Sequence, residues 1–199
     1  MWFRKKRVVL LRLAFLPMVF LALFARPSWP QASVTAFAVE VGGYIVLLAG
    51  LGLRIWSILY VGGRKSQELV TEGPYSICRN PLYLGTVLLA CGVGLCFENP
   101  LMLIAAVAIV VPAHAIVVGM EERHLAQKFP GEYDAYRQKV PRFWPRLRNY
   151  RGGGNVVVPV RAIRRVAVDT LGVLLIPAIE DLLEVLHNFG LIPVLWRFP

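Results

Sequence analysis

The chain has 199 residues, of which 57% are hydrophobic and only 17% are charged, and its formal net charge is +10. This composition is too apolar for an ordinary soluble domain of that length, so we predict an integral membrane protein with one domain or little more. The basic residues flank apolar runs instead of lining one polar surface, which argues against nucleic acid as a partner and indicates anionic lipid.

The first predicted element is a transmembrane helix over residues 8–25, which follows the basic run Arg4-Lys5-Lys6-Arg7. A basic start and an apolar centre also fit a secretory signal peptide. Arg12 and Pro17 interrupt the run, however, and no clear cleavage site follows it. We therefore favour a retained first span.

Three further spans are predicted over residues 37–61, 82–97 and 100–120. Small residues at four positions of the second span would let a neighbouring helix approach closely; they are Gly42, Gly43, Gly50 and Gly52. Arg54 either snorkels to the interface or faces a polar pocket, and the sequence does not separate these alternatives. Pro112 predicts a kink or local opening in the fourth span.

The distribution of basic residues predicts the orientation, because cytoplasmic loops carry an excess of Lys and Arg. Four spans place both termini in the cytoplasm, and we expect the bacterial inner membrane. The last segment, residues 156–199, has Glu180, Asp181 and Glu184 within an apolar run. Three carboxylates inside a span would be unfavourable, so we predict an interfacial amphipathic helix, with a fifth span as the alternative.

The predicted fold class is therefore an all-α integral membrane protein with about four spans and a C-terminal interfacial helical segment. We divide it into a pair of helices (1–61), a core (62–151) and a C-terminal extension (152–199), which could form a homo-oligomer. The cysteines Cys78, Cys91 and Cys96 form no Cys-x-x-Cys pair, and we interpret them as structural.

Two polar clusters organise the stretch 66–145, and only Glu98, Asn99 and Pro100 separate the two spans between them. So short a turn predicts an antiparallel helical hairpin, which returns both clusters to the same membrane face.

The first cluster contains Arg79, Asn80, Pro81, Tyr83 and Gly85. Pro81 favours an extended Asn80, so the chain turns just before the third span. Gly85 leaves room for a flat group or another backbone, and the Arg79 guanidinium can bind a carboxylate. Alone, this pattern fits a membrane-entry turn as well as a binding pocket.

The second cluster begins with Glu121 and Glu122 at the cytoplasmic end of the fourth span. Paired acids are unfavourable at the negative end of a helix dipole, so they require a cationic partner, either Arg79 or a charged ligand. His114 lies seven residues earlier on the same helix face. It is a functional candidate because of its depth in the membrane, although a structural histidine fits equally well.

The ordered motifs resemble the isoprenylcysteine carboxyl methyltransferase family and the related membrane phospholipid methyltransferases. The motifs that carry the resemblance are Leu69-Val70-Thr71-x-Gly73-x-Tyr75, Arg79-x-Pro81-x-Tyr83-x-Gly85, Glu121-Glu122-x-x-Leu125, Phe129-x-x-Glu132-Tyr133-x-x-Tyr136 and Val140-Pro141-Arg142. The resemblance covers residues 66–145 and implies S-adenosylmethionine as cofactor, without a metal, on the cytoplasmic side.

By position, the resemblance implies a set of cofactor-binding residues in the loop before the third span, at the start of that span and at the end of the fourth. They are Gln67, Glu68, Leu69, Val70, Tyr75, Arg79, Asn80, Pro81, Leu82, Tyr83, Gly85, Glu121 and Glu122. These residue types suit the ligand, because a sulfonium cation favours acids and aromatic faces and its carboxylate needs donors.

Two positions depart from the family pattern. The family usually has His where this chain has Asn80, which forms hydrogen bonds but does not titrate. A family arginine one turn before the first glutamate is Val117 here. His114 and Arg142 are the nearest replacements, so the catalytic candidates are His114, Glu121 and Arg142. A prenylated protein terminus is therefore not the expected acceptor.

The resulting hypothesis is direct methyl transfer from S-adenosylmethionine to a lipid-like or amphiphilic acceptor that arrives through the bilayer. His114 would act as the base if the acceptor must lose a proton. One alternative is an NADPH-dependent sterol-type membrane reductase, which shares a similar Arg-x-Pro-x-Tyr motif. The other is a non-catalytic membrane scaffold in which Arg79 and Glu121 form an ion pair. The paired glutamates and the small number of spans favour methyl transfer.

Overall fold

The computed structural model of the protein describes residues 19–27, 33–63, 67–152 and 156–198. The basic run 4–7, most of the predicted first span and residues 64–66 lie outside the described residues. The elements in chain order are strand β1 (Ala25–Pro27), helices α1 (Val34–Val61), α2 (Pro74–Ile77), α3 (Pro81–Cys96), α4 (Pro100–Lys128) and α5 (Glu132–Lys139), a short 3-10 helix (Leu147–Asn149), helix α6 (Val160–Asn188) and strand β2 (Trp196–Phe198).

The predicted hairpin is present as α3 and α4. Asn99 caps the start of α4, where its side chain accepts a hydrogen bond from the Met102 backbone nitrogen at 3.1 Å. Pro100 is the first helical residue, a position where its missing N–H costs nothing. The helix then continues through Pro112 as far as Lys128. The second polar cluster is therefore a direct extension of the fourth predicted span.

Glycines bring α1 and α3 into backbone contact. A Cβ atom built at Gly50 would lie 2.7 Å from the Leu89 backbone nitrogen, and one at Gly92 would lie 2.7 Å from the Leu47 backbone. Gly43 makes the same kind of contact with Cys96. Of the four glycines predicted to admit a neighbour, Gly43 and Gly50 do so, whereas nothing lies within 4 Å of a Cβ at Gly42 or Gly52.

Two described helices, α1 and α4, are long and apolar enough to cross a membrane, and α3 is a shorter apolar helix of 16 residues. Mean hydropathy over the best window reaches 1.9 in α1 and 2.7 in α4. These helices are those expected of a helical membrane protein, although α3 is short for a full crossing of about 30 Å of hydrocarbon.

Helix α6 packs beside the end of α1 and beside the helical segment 19–24. At one end, a Cβ at Gly62 would contact Ala162. At the other end, the His187 ring nitrogen Nε2 lies 2.8 Å from the Leu23 carbonyl oxygen. The start of α6 therefore lies beside the end of α1, and the end of α6 lies beside the segment that precedes α1.

A short parallel pairing of β1 with β2 joins residues 25–27 to residues 196–198, with Ala25 opposite Trp196. The all-α prediction did not include it. Arg26, the middle residue of β1, also forms an ion pair with Glu184 at 3.7 Å. This contact gives one of the unexpected carboxylates of α6 a cationic partner.

Arg54 neither snorkels nor faces the polar clusters. Its guanidinium donates to the Asp169 carboxylate of α6 at 2.8 Å and to the Thr86 hydroxyl of α3 at 2.5 Å. Asp169 is thus the second carboxylate of α6, after Glu184, that forms an ion pair with an arginine far away in the sequence. Such a pair compensates the cost of placing charge between apolar helices.

We expect Asp169→Asn to lower the stability of the protein by about 1–2 kcal/mol, because polar contacts between helices in membranes contribute roughly that much. Thermal unfolding in detergent measures the change. The control is Asp181→Asn on the exposed side of the same helix. Equal melting temperatures for the two variants would contradict a stabilising Arg54–Asp169 pair.

Candidate functional site

The turn before α2 positions the first polar cluster. Gly73 has φ +56°, which favours glycine, and its N–H donates to the Arg151 carbonyl at 2.9 Å. The buried Ser76 hydroxyl donates to the Gly73 carbonyl and accepts from the Arg151 N–H. This loop is therefore fixed to the end of the segment that follows α5.

The segment 140–146 lies beside the start of α3 through backbone hydrogen bonds. The Arg79 N–H donates to the Pro141 carbonyl at 2.9 Å, and the Arg146 N–H donates to the Ile77 carbonyl at 3.0 Å. The Cys78 thiol lies 3.4 Å from the Phe143 carbonyl, and burial raises the pKa of this thiol to about 11. Cys78 is thus a neutral packing group, in keeping with its predicted structural role.

Glu122 is the centre of a polar network between α4, the start of α3 and the segment 140–146. It accepts a hydrogen bond from the Asn80 side chain at 2.9 Å. Arg142 contacts its carboxylate at 3.2 Å and Arg79 at 3.8 Å. The Glu122 side chain is only 17% exposed, so these two guanidinium groups compensate a largely buried charge. Glu122 is therefore the acid that binds Arg79, rather than Glu121.

Glu121 instead faces α3, the other helix of the hairpin. Its carboxylate accepts a hydrogen bond of 2.5 Å from the Tyr83 hydroxyl. The Tyr83 ring contacts His114 edge to face, with 5.4 Å between ring centroids. The Nδ1–H of His114 donates to the Val110 carbonyl at 2.8 Å, which leaves Nε2 of the neutral ring as an acceptor. Three polar groups from two helices thus form one row.

A cavity of about 130 Å³ opens between these groups and the loop that precedes α2. Aromatic side chains from three parts of the chain form much of its wall; they are Tyr75, Tyr83, Tyr133 and Tyr136. Burial raises the pKa of Tyr75, Tyr133 and Tyr136, so their hydroxyls stay protonated and can donate hydrogen bonds. The Tyr136 hydroxyl does so to the Tyr75 carbonyl at 2.8 Å.

Two buried polar atoms at the cavity have no hydrogen-bond partner within the part of the chain that the structure describes. They are Nε of Arg79 and the Tyr133 hydroxyl, and the two side chains adjoin each other, so that the Arg79 guanidinium partly offsets the raised pKa of Tyr133. Buried donors are nearly always satisfied, so a ligand with acceptor atoms fits here. Together with the two carboxylates, these donors suit a ligand that carries both a cationic centre and a carboxylate.

Ten of the 13 predicted cofactor residues line the cavity: Glu68, Leu69, Val70, Tyr75, Arg79, Asn80, Leu82, Tyr83, Glu121 and Glu122. Gln67, Pro81 and Gly85 do not line it, and neither do His114 and Arg142. Gly85 packs against α1, where a Cβ would lie 2.8 Å from Cγ of Arg54. Its small size therefore permits the close packing of α3 against α1.

Five further residues line the cavity and had no predicted role: Val61, His124, Leu125, Tyr133 and Tyr136. Leu125, Tyr133 and Tyr136 belong to motifs that carry the resemblance, so the sequence could have indicated them as cavity residues. Val61 lies outside those motifs and His124 occupies an unspecified position of one of them, so only the packing of α1 and α4 brings the two residues to the cavity.

The sequence profile of the phospholipid methyltransferase family matches residues 32–132, which include α1, the loop, the hairpin and both glutamates. The chain belongs to the phospholipid methyltransferase family. Members of this family are membrane methyltransferases, and the region that the family profile matches ends before α6.

Relatives fall into two groups by name. The chain is 35% identical to the cobalt-zinc-cadmium resistance protein CzcN of Cupriavidus metallidurans over 85% of this chain and 78% of that protein. It is 34% identical to the nickel-cobalt-cadmium resistance protein NccN of Alcaligenes xylosoxydans xylosoxydans over 91% and 84%. It is 33% identical to protein-S-isoprenylcysteine O-methyltransferase B of Arabidopsis thaliana over 45% of this chain and 46% of that protein.

The names of the first two relatives raise the question of a metal site in this family member. Across the described ranges, no three His, Cys, Asp or Glu side chains are grouped so that they could hold a metal ion.

Proposed function

We propose that this protein is an S-adenosylmethionine-dependent methyltransferase that acts on a lipid-like or amphiphilic acceptor. The observation that carries the proposal is the contact of Tyr83 with Glu121 at the wall of an aromatic cavity. It is supported by membership in a family of membrane methyltransferases. In this proposal the cavity faces the cytosol, from which the cofactor enters.

The cavity residues divide by the chemistry they offer. Glu121 provides negative charge beside aromatic faces, which favours a cationic centre. Arg79 and the Tyr133 hydroxyl offer donors to a carboxylate. When bound, S-adenosylmethionine supplies an electrophilic methyl group. No phosphate-binding glycine loop occurs in the sequence, which favours this ligand over a nicotinamide dinucleotide.

The acceptor side of the site lies deeper along the hairpin. His114 is positioned by Val110 and contacts Tyr83, so its Nε2 can accept a proton from an acceptor that must be deprotonated. Val117, which replaces a family arginine, lies on α4 between His114 and Glu121. The absence of a positive charge there favours an acceptor without a carboxylate. Arg142 forms an ion pair with Glu122 at 3.2 Å, which favours His114 over Arg142 as the replacement in this proposal.

Binding of S-adenosylmethionine to the detergent-solubilised protein tests the proposal, with NADPH titrated in parallel. We expect Glu121→Gln to weaken the binding about tenfold to a hundredfold, because hydrogen bonds to charged groups contribute about 1.5–3 kcal/mol. The matched control is Glu132→Gln on the exposed side of α5, which we expect to bind normally.

Three results would contradict the proposal. If the folded protein binds NADPH instead, it is a reductase. If it binds neither ligand, with or without added lipid, a scaffold role is favoured. If Glu121→Gln and Glu132→Gln bind equally well, the cofactor does not occupy this cavity.

A further inference from the structure

A second cavity, of about 510 Å³, lies between the helical segment 19–24, α3, α4 and α6. Its lining surface is apolar throughout. Residues of α3 and α6 face each other across it, including Leu89, Ala90, Val173 and Ile176. Because α4 is long and apolar enough to cross a membrane, this cavity lies at the depth of the hydrocarbon core.

This apolar cavity begins where the polar site ends. Thr86 and Val110 line its inner end, and each lies about one helical turn from a residue of the polar row. Thr86 follows Tyr83 on α3, and the Val110 carbonyl accepts the hydrogen bond of His114. The same two helices thus lead from the proposed acceptor side of the site into the cavity.

The length of the cavity is close to the hydrocarbon thickness of one bilayer leaflet. It extends along α3 from Thr86 to Phe97, which at 1.5 Å per residue is about 16 Å. The hydrocarbon core of a bilayer is roughly 30 Å thick, so the cavity has about the length of one lipid chain. Water is not stable in a cavity without polar partners, whereas hydrocarbon chains surround the protein in the membrane.

We infer that this cavity binds one hydrocarbon chain of the methyl acceptor and holds the polar head of the acceptor beside Tyr83 and His114. The inference rests on the proposed function. It also assigns a role to α6, which lies outside the region shared with the family and forms one wall. The pair of Arg54 with Asp169, and the contact of Arg54 with Thr86, fix that wall to the inner end of the cavity.

Photocrosslinking of the full chain in lipid nanodiscs tests the inference. The probe is a long-chain fatty alcohol with a diazirine near the middle of its chain. We expect it to label peptides of α3, α4 and α6 that line the cavity. Ala90→Phe fills the cavity, and we expect the half-saturating probe concentration to rise about tenfold, since overpacking costs about 1–3 kcal/mol. Binding of S-adenosylmethionine should be unchanged.

The matched control is Ala108→Phe, which adds the same side chain on the exposed face of α4. Val173→Trp fills the cavity from α6 and replaces Ala90→Phe if that variant does not fold. Equal labelling of the cavity-filling and control variants, or labels outside the lining helices, would overturn the inference. If labelling requires the open cavity but the protein does not bind S-adenosylmethionine, the cavity is a hydrocarbon-binding site and the proposed function is contradicted.

Discussion

Replacing Glu122 by glutamine is expected to destabilise the protein by about 3 kcal/mol or more, because removing one partner of a largely buried ion pair leaves uncompensated charge. Glu122 contacts both Arg79 and Arg142, and its side chain is 17% exposed. A glutamine could keep the Asn80 contact but neutralise neither guanidinium. We expect a lower unfolding temperature in detergent together with a loss of S-adenosylmethionine binding.

The adjacent glutamate provides the control for this prediction. Glu121 accepts its hydrogen bond from the Tyr83 hydroxyl on α3, so Glu121→Gln should weaken ligand binding without the same loss of stability. If Glu122→Gln melts at the wild-type temperature, the network does not hold the segment 140–146 against α3. If the two variants are equally destabilised, the two glutamates do not have separate roles.

The hairpin and the meeting of its two polar clusters were predictable from the sequence. Glu98, Asn99 and Pro100 are strong turn signals between two apolar runs, and Asn99 indeed caps α4. A short connection between two helices permits few arrangements other than an antiparallel pair. The order of the motifs then indicated the loop residues that line the cavity.

The pairing within the clusters was not predictable in the same way. Successive residues on a helix point about 100° apart, so Glu121 and Glu122 face different neighbours. Which of them meets Arg79 depends on the rotation of α4 against α3, and this rotation is set by packing. The backbone hydrogen bond from the Arg79 N–H to the Pro141 carbonyl also corresponds to no recognisable pattern in the sequence.

The position of α6 shows a second limit of sequence interpretation. The sequence predicts an interfacial helix from Glu180, Asp181 and Glu184, and it indicates a partner for none of them. The structure pairs Asp169 with Arg54 and Glu184 with Arg26, more than 100 residues away in both cases. Ion pairs between residues so far apart in the sequence depend on tertiary structure, and no local periodicity of the sequence indicates them.

Replacing Gly50 by alanine is expected to destabilise the protein by about 2–3 kcal/mol, because the new methyl group would overlap backbone atoms that cannot move independently. Its Cβ would lie 2.7 Å from the Leu89 nitrogen and 2.8 Å from the Gly85 carbonyl oxygen. Helix α3 would have to move away from α1 as a unit. Thermal unfolding in detergent measures the effect.

Gly52→Ala on the same helix should have the opposite sign. Nothing lies within 4 Å of a Cβ at Gly52, and alanine is a better helix former than glycine by about 1 kcal/mol. Since α3 also carries Tyr83, its displacement by Gly50→Ala should weaken S-adenosylmethionine binding, whereas Gly52→Ala should not. Equal stability of the two variants would mean that α1 and α3 do not approach at Gly50, and the position of Tyr83 relative to Glu121 would then need another cause.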